Sequence, residues 1–259
     1  MTNRQGEIIW YELMTRDADK AAGFYGAVIG WQVGAPPSGG PDYRMIAAPD
    51  GNAGGMLQLD AEMLAAGATP GWLAYFGVDD VDARVAAIVA EGGKVLVPAW
   101  DAAGVGRIAM VTDPQGIPFY VMRGATEGAT STVYQRRGMA HVGWNELLTP
   151  DAEAALGFYH RQFGLTRMGG MPMGELGEYS FIGHDGGAPI GAIMPCPPEA
   201  KPGWGFYFRV DDVDAARGRV EAAGGMVVMA PMDVPGGERA LQAVDPDGAV
   251  FGLVSGVEA

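Results

Sequence analysis

The chain has 259 residues, enough for two cores of the usual domain size of about 100–150 residues. Its composition, 48% hydrophobic and 19% charged, is that of a soluble globular protein, and no apolar run approaches the ~18 residues that would span a bilayer, so no membrane segment is expected. A net charge of −14 with no local Lys/Arg cluster would repel a phosphate backbone and excludes nucleic acid as an expected partner.

Taken in chain order, residues 1–7 are polar and lead straight into a strand-like run, without the basic start and apolar stretch of a signal peptide. A cytoplasmic protein is expected, and the single Cys196 fits a reducing compartment. Residues 7–14 alternate and predict a strand. Asp17 then caps a helix with apolar residues at 21, 24, 25, 28 and 29, stopped by Gly30. Strands follow at 43–48 and 53–59, joined by the turn Pro49-Asp50-Gly51. The pattern restarts with a strand at 72–78, a helix capped by Asp79 and running to Glu91, the stop Gly92-Gly93, and strands near 94–97, 105–112 and 117–122.

The same order then returns. Trp10-Tyr11-Glu12-Leu13-Met14-Thr15 reappears as Trp144-Asn145-Glu146-Leu147-Leu148-Thr149, and Gly23-Phe24-Tyr25 as Gly157-Phe158-Tyr159, displaced by 134. Pro70-Gly71-Trp72, Val78-Asp79-Asp80-Val81-Asp82, Arg107 and Asp113-Pro114 reappear as Pro202-Gly203-Trp204, Val210-Asp211-Asp212-Val213-Asp214, Arg239 and Asp245-Pro246, displaced by 132. This is an internal duplication. A Gly-, Ser- and Thr-rich stretch ending in Arg136-Arg137 separates the copies. The expected boundaries are a domain over 1–124, a linker over 125–137 and a domain over 138–259, each domain being two βαβββ modules.

Asp-(x)6-Phe-Tyr-(x)4-Gly at the opening of each copy, Val-Asp-Asp-Val-Asp at the second helix, and Asp113-Pro114-Gln115-Gly116 and Asp245-Pro246-Asp247-Gly248 near the last hairpins are together similar to the glyoxalase/bleomycin-resistance/dioxygenase superfamily, the vicinal oxygen chelate fold. The resemblance covers nearly the whole chain apart from the linker and the loops at 34–42 and 60–69. It implies an α+β fold of tandem domains in which paired modules curl around a cleft; a ferredoxin-like α+β repeat is the alternative. It also implies metal-ligand positions at Trp10, Gln58, Leu73 and Tyr120 in copy one and at Trp144, Pro195, Gly205 and Gly252 in copy two. Only Gln58 is a conventional donor, so no metal centre of the family's kind and no other cofactor is expected. His141, His160 and His184 share no ligand spacing and are read as surface or turn residues.

Strand alternation supplies the candidate site, because residues i and i+2 share a face. If Trp10 faces the cleft, Glu12 does too, while Tyr11, Leu13 and Thr15 face the helix. Trp144 and Glu146, Leu73 and Tyr75, and Gly205, Tyr207 and Arg209 follow the same rule. A carboxylate on a mainly apolar wall is unusual, which nominates Glu12 and Glu146 as catalytic acid–base groups. Trp10, Trp144, Gln58, Tyr75, Tyr120, Tyr207, Arg209, Arg107 and Arg239 are the candidate ligand contacts. The competing reading pairs Glu12 with Arg107 and Glu146 with Arg239 as structural bridges, makes the two tryptophans core or cavity wall, and makes Asp17, Asp79, Asp151 and Asp211 helix caps. Arg209 is matched by Gly77 in copy one, so the two clefts need not bind alike.

Two functions follow from the resemblance and the glutamates. One is a glyoxalase-like lyase or isomerase acting on a small organic metabolite without the usual metal; the other is a binding protein that sequesters a small molecule in the bleomycin-resistance manner. A metal-dependent dioxygenase or glyoxalase would need ligands outside the family positions. A monomer or loose homodimer is expected, since a duplicated chain can pair its domains internally.

Overall fold

The computed structural model describes residues 3–256. Copy one runs β1 (Ile8–Thr15), α1 (Ala18–Ile29), β2 (Gln32–Val33), β3 (Tyr43–Ala48), β4 (Gly51–Gln58), α2 (Ala61–Ala65), β5 (Gly71–Gly77), α3 (Val81–Ala90), β6 (Lys94–Ala102), β7 (Gly106–Thr112) and β8 (Pro118–Gly124). Copy two runs β9 (Val142–Thr149), α4 (Ala152–Phe163), β10 (Thr166–Pro172), a 3-10 turn (Gly174–Leu176), β11 (Glu178–Gly183), β12 (Gly191–Pro195), β13 (Gly203–Arg209), α5 (Val213–Ala222), β14 (Met226–Val234), β15 (Glu238–Val244) and β16 (Val250–Ser255). The strands fall into two eight-stranded sheets, β1–β8 and β9–β16, the α+β arrangement expected from the repeat.

Local chemistry sets the element ends. Asp17 is extended at φ −144° and its carboxylate accepts from Lys20 N, while Gly30 closes α1 at φ 90°, a left-handed conformation that glycine adopts at little cost. Asp151 and Gly164 do the same for α4. The second helix of each copy is capped one residue later than its motif suggested. Asp80 Oδ1 accepts from Ala83 N, and Asp212 Oδ1 from Asp214 N and Ala215 N. Asp79 and Asp211 stand outside the helices, the latter paired with Arg219. No helix among the described residues is long and apolar enough to cross a membrane.

Packing groups the modules into two compact units, and each unit takes one module from each copy. The first comprises residues 3–9, 73–131 and 145–204; the second comprises 10–72, 132–144 and 205–256. Within the first, the strands are ordered β5-β8-β7-β6 and β10-β11-β12-β9; within the second, β2-β3-β4-β1 and β13-β16-β15-β14. The pairs β1–β4, β5–β8, β9–β12 and β13–β16 are parallel, and β2–β3, β3–β4, β6–β7, β7–β8, β10–β11, β11–β12, β14–β15 and β15–β16 are antiparallel.

The residues that repeat in the sequence form the centre of each unit. In the second unit Trp72 Nε1 donates to Tyr25 Oη at 2.9 Å, and Tyr25 Oη donates to Asp245 Oδ2 at 3.1 Å. In the first, Trp204 Nε1 donates to Tyr159 Oη at 3.0 Å, and Tyr159 Oη to Asp113 Oδ2 at 3.3 Å. The other oxygen of each aspartate closes the following turn: Asp113 Oδ1 accepts from Gln115 N and Ile117 N, and Asp245 Oδ1 from Asp247 N and Ala249 N. Burial pushes both carboxyls above the ordinary range, and these hydrogen bonds partly offset it. Around each relay the core is aromatic, with Phe24, Trp31, Phe208 and Phe251 in the second unit and Phe76, Phe119, Phe158 and Phe163 in the first. Full burial of such a side chain contributes roughly 1.5–3 kcal/mol.

Candidate functional site

Glu12 and Glu146 are buried, at 1% and 7% exposure, and each is held by a tyrosine from the first strand of the adjacent hairpin. In the second unit Trp10 and Glu12 share one face of β1, whereas Tyr11 points the other way and meets Phe206 edge-on at 5.0 Å. Tyr43 on β3 reaches across β4 to this face. Its hydroxyl accepts from Trp10 Nε1 at 2.6 Å and is hydrogen-bonded to the Glu12 carboxylate, to which it must donate. Gly55 makes the reach possible, because it lies opposite Glu12 and any Cβ there would overlap the Tyr43 hydroxyl. Burial, and then the nearby Glu12 charge, push the Tyr43 hydroxyl pKa far above the ordinary value, so Tyr43 is a proton-bearing donor. In the first unit Tyr179 on β11 donates from its hydroxyl to Glu146 Oε1 at 2.9 Å.

The two tyrosines escaped the sequence reading. The signal was present: Tyr43 and Tyr179 are 136 residues apart, within two residues of the repeat's displacement, but a lone aromatic in a short strand looks like core.

The walls contain several of the expected contacts. In the first unit Tyr75 on β5 and Tyr120 on β8 stack at 4.1 Å between ring centroids and 20° between planes, with Trp100 of β6 edge-on to Tyr120 at 6.4 Å. In the second unit Tyr207 packs with Ala240 and Val254, and Trp144 lies half-buried against them. Gln242 Nε2 donates to Tyr207 Oη at 2.6 Å, and the Arg136 guanidinium stands 5.1 Å from the centre of the Trp144 ring.

Other candidates have structural duties. Arg107 does not reach Glu12; it lies on the outside of β7, where it pairs with Asp82 in the first turn of α3 and with Asp101. Arg239 likewise pairs with Asp214 and Asp233 and not with Glu146. Alternation along a strand cannot reveal that a helix one layer away offers an acidic first turn. Gln58 turns its Oε1 to the Ala18 N–H and helps to cap α1. Arg209 is buried and pinned by Glu238, the Arg136 carbonyl at 3.1 Å and the Gly256 carbonyl at 3.2 Å. Arg136 shares Glu238, with Nη2 at 2.5 Å from Oε2. Burial would raise the Glu238 carboxyl, but the two guanidiniums outweigh it and hold the group below the ordinary carboxylate range.

His141, expected at the surface, is fully buried (0%), with Nε2 2.7 Å from Asp50 Oδ1 and Nδ1 3.2 Å from the Val133 carbonyl. It fastens the linker to the β3–β4 turn. His184 is buried too, beside the turn after β11, and burial lowers its pKa; His160 is exposed on α4.

The family's ligand positions do not fit a divalent metal. Leu73, Pro195, Gly205 and Gly252 carry no side-chain donor atom, Trp10 and Trp144 offer only indole N–H groups, Tyr120 lies in the ring stack, and the Gln58 oxygen serves α1. Among the described residues no group of three or more His, Cys, Asp or Glu is placed to hold a metal. A separate groove of about 290 Å³ in the first unit is lined by Glu91, Asp113, Gln115, Glu153, Phe158 and Arg161. Its charges are already paired, Arg161 with Glu91 and Glu153 with Arg167.

Known proteins share this organisation. The family model described as Glyoxalase/Bleomycin resistance protein/Dioxygenase superfamily matches residues 7–121 and again 138–253. The Mycobacterium tuberculosis protein named "Putative glyoxylase CFP32" is 35% identical over 254 residues, covering 97% of this chain and 95% of that protein. "Anthracycline biosynthesis protein DnrV" of Streptomyces peucetius is 32% identical over 275 aligned positions, covering 96% and 93%. The crystal structure of an Mn(II)-bound glyoxalase from Novosphingobium aromaticivorans superposes with a TM-score of 0.66 at 20% identity, covering 98% of this chain and 83% of that one, a likeness of fold. Two family matches in tandem, one on each copy of the repeat, establish that this chain belongs to the glyoxalase/bleomycin resistance protein/dioxygenase superfamily.

Proposed function

We propose that the chain is a glyoxalase-like enzyme, a lyase or isomerase of a small organic metabolite, in which Glu12 and Glu146 move the proton. The observation that carries this reading is the buried carboxylate held by a tyrosine hydroxyl, present in both copies at matching positions. A carboxylate fixed in this way can accept a proton from a carbon next to a carbonyl and return it to the neighbouring atom, while the tyrosine keeps it oriented. Arg107 and Arg239, the cations that would have made these glutamates structural bridges, are engaged elsewhere. Glu12→Gln and Glu146→Gln preserve shape and are expected to lower the rate by about 10²–10⁴ with little change in thermal midpoint. Turnover unchanged in both variants would remove the reading.

Binding without turnover is the second reading. The half-buried Trp144 face favours it, since it offers area for a flat ligand. The relative named for anthracycline biosynthesis supports an aromatic ligand under either reading. Saturable heat of binding with no product formed over a metabolite panel would select it.

A further inference from the structure

The copies repeat the Glu–Tyr pair but not the tyrosine wall. At a displacement of 132, Tyr120 is matched by Gly252, Trp100 by Met232, Met110 by Gln242, Gly77 by Arg209 and Gly106 by Glu238. In the first unit the wall is closed by Tyr120 lying on Tyr75. In the second unit the Tyr207 ring lies flat over Gly252, where a Cβ would overlap it, and its hydroxyl is tied to Gln242. The wall beside it stays accessible: Met232, opposite Ala240 in the hairpin, is 49% exposed, and Trp144 is half-buried.

Charge differs as well. Arg209 and Arg136 share the single carboxylate of Glu238, which leaves one positive charge in excess in a chain whose net charge is −14. Arg209 is enclosed, but the Arg136 side chain is 38% exposed and stands over Trp144. Arg136 comes from the segment that leads into β9.

We infer that the second copy's wall binds a flat aromatic ligand bearing an anionic group, a carboxylate or phenolate, with its ring against Trp144 and Met232 and its anion at Arg136. This rests on the reading that the walls bind a small organic ligand, and it makes Arg136 the residue that sets specificity. A charge-assisted hydrogen bond in a partly desolvated place contributes about 1.5–3 kcal/mol, roughly a tenfold to hundredfold gain in affinity.

The test is isothermal titration calorimetry of the full chain with 1-naphthoate, its neutral isostere 1-naphthamide and the cation 1-naphthylmethylammonium. Naphthoate is expected to bind at least ~10-fold more tightly than the amide, the cation more weakly than either, and the advantage of naphthoate to shrink in high salt. Arg136→Gln should remove that advantage and leave the amide unchanged. The charge series on the unaltered chain stands even if the variant does not fold. Equal affinities for naphthoate and naphthamide, or no naphthoate binding at millimolar concentration, would overturn the inference. If the glutamate variants lose turnover while naphthoate fails to bind, only this inference falls. If naphthoate binds as expected while those variants keep full turnover, the enzymatic reading falls instead.

Discussion

In the first unit Trp204, Tyr159 and Asp113 form a hydrogen-bonded relay, and in the second Trp72, Tyr25 and Asp245 form the same relay with donor–acceptor distances differing by at most a few tenths of an ångström. The tyrosine walls have gone separate ways: a closed tyrosine stack in one unit, and in the other a tyrosine laid on glycine, with a guanidinium over the neighbouring Trp144. The relay binds a tryptophan, a helix and a turn at once, so any change costs packing and leaves a buried polar group unpaired. A wall residue has fewer partners and can change with the ligand. Constancy across the copies therefore marks scaffold at the relays, and difference at the walls is where the proposed selectivity would reside.

Removing the matching tryptophans should cost the relays most. Trp72→Ala and Trp204→Ala are each expected to destabilise by about 3–5 kcal/mol in denaturant titrations, with similar values if the relays are equivalent. A loss confined to one of them would show that the scaffold has also diverged.

Tyr25→Phe and Tyr159→Phe keep the rings but deprive Asp245 and Asp113 of a donor, at an expected cost of about 1–3 kcal/mol. These aspartates have folded pKa values raised by burial above their ordinary 3.8. The folded protein thus holds these protons more tightly than the unfolded chain, and the contribution to stability is full below that ordinary value and lost as pH rises through the raised folded value. Asp113→Asn should flatten this part of the profile, measured as the change in denaturant midpoint between about pH 4 and about pH 7. The smallest effect belongs to Arg107→Ala and Arg239→Ala, surface ion pairs expected to contribute about 0–1 kcal/mol each. A loss of several kcal/mol would show that these arginines do more than hold an exposed acidic turn.

The duplication, the two long helices of each copy and the strand carrying each glutamate were legible because they follow from periodicity, caps and repetition, whereas the one-turn helix Ala61–Ala65 lay in a stretch expected to be a loop. Residues whose role depends on a partner distant in sequence were not. Arg209 obeys the alternation that points Tyr207 to the wall, yet Glu238 from β15 and the linker carbonyl of Arg136 immobilise it. His141 sits in a polar, glycine-rich context and is nonetheless buried, because Asp50 from a turn 91 residues earlier meets it. Gln58 has the right chemistry for a ligand and spends it on a helix end in its own module. The composition of the compact units was hidden for a similar reason: a repeat reveals that modules exist and is silent on which pack together.

That each unit draws one module from each copy bears on the protein's ancestry. A chain ending at the linker would keep Tyr25 but lose Asp245, and keep Asp113 but lose Tyr159. Two identical half-length chains could exchange those groups reciprocally and satisfy both relays. The arrangement is what fusion of the genes for a symmetric pair would leave behind, and fusion releases each half from having to match the other. A single change such as Tyr to Gly at the position of residues 120 and 252 can then alter one wall and spare its twin, which a pair encoded by one gene could never do.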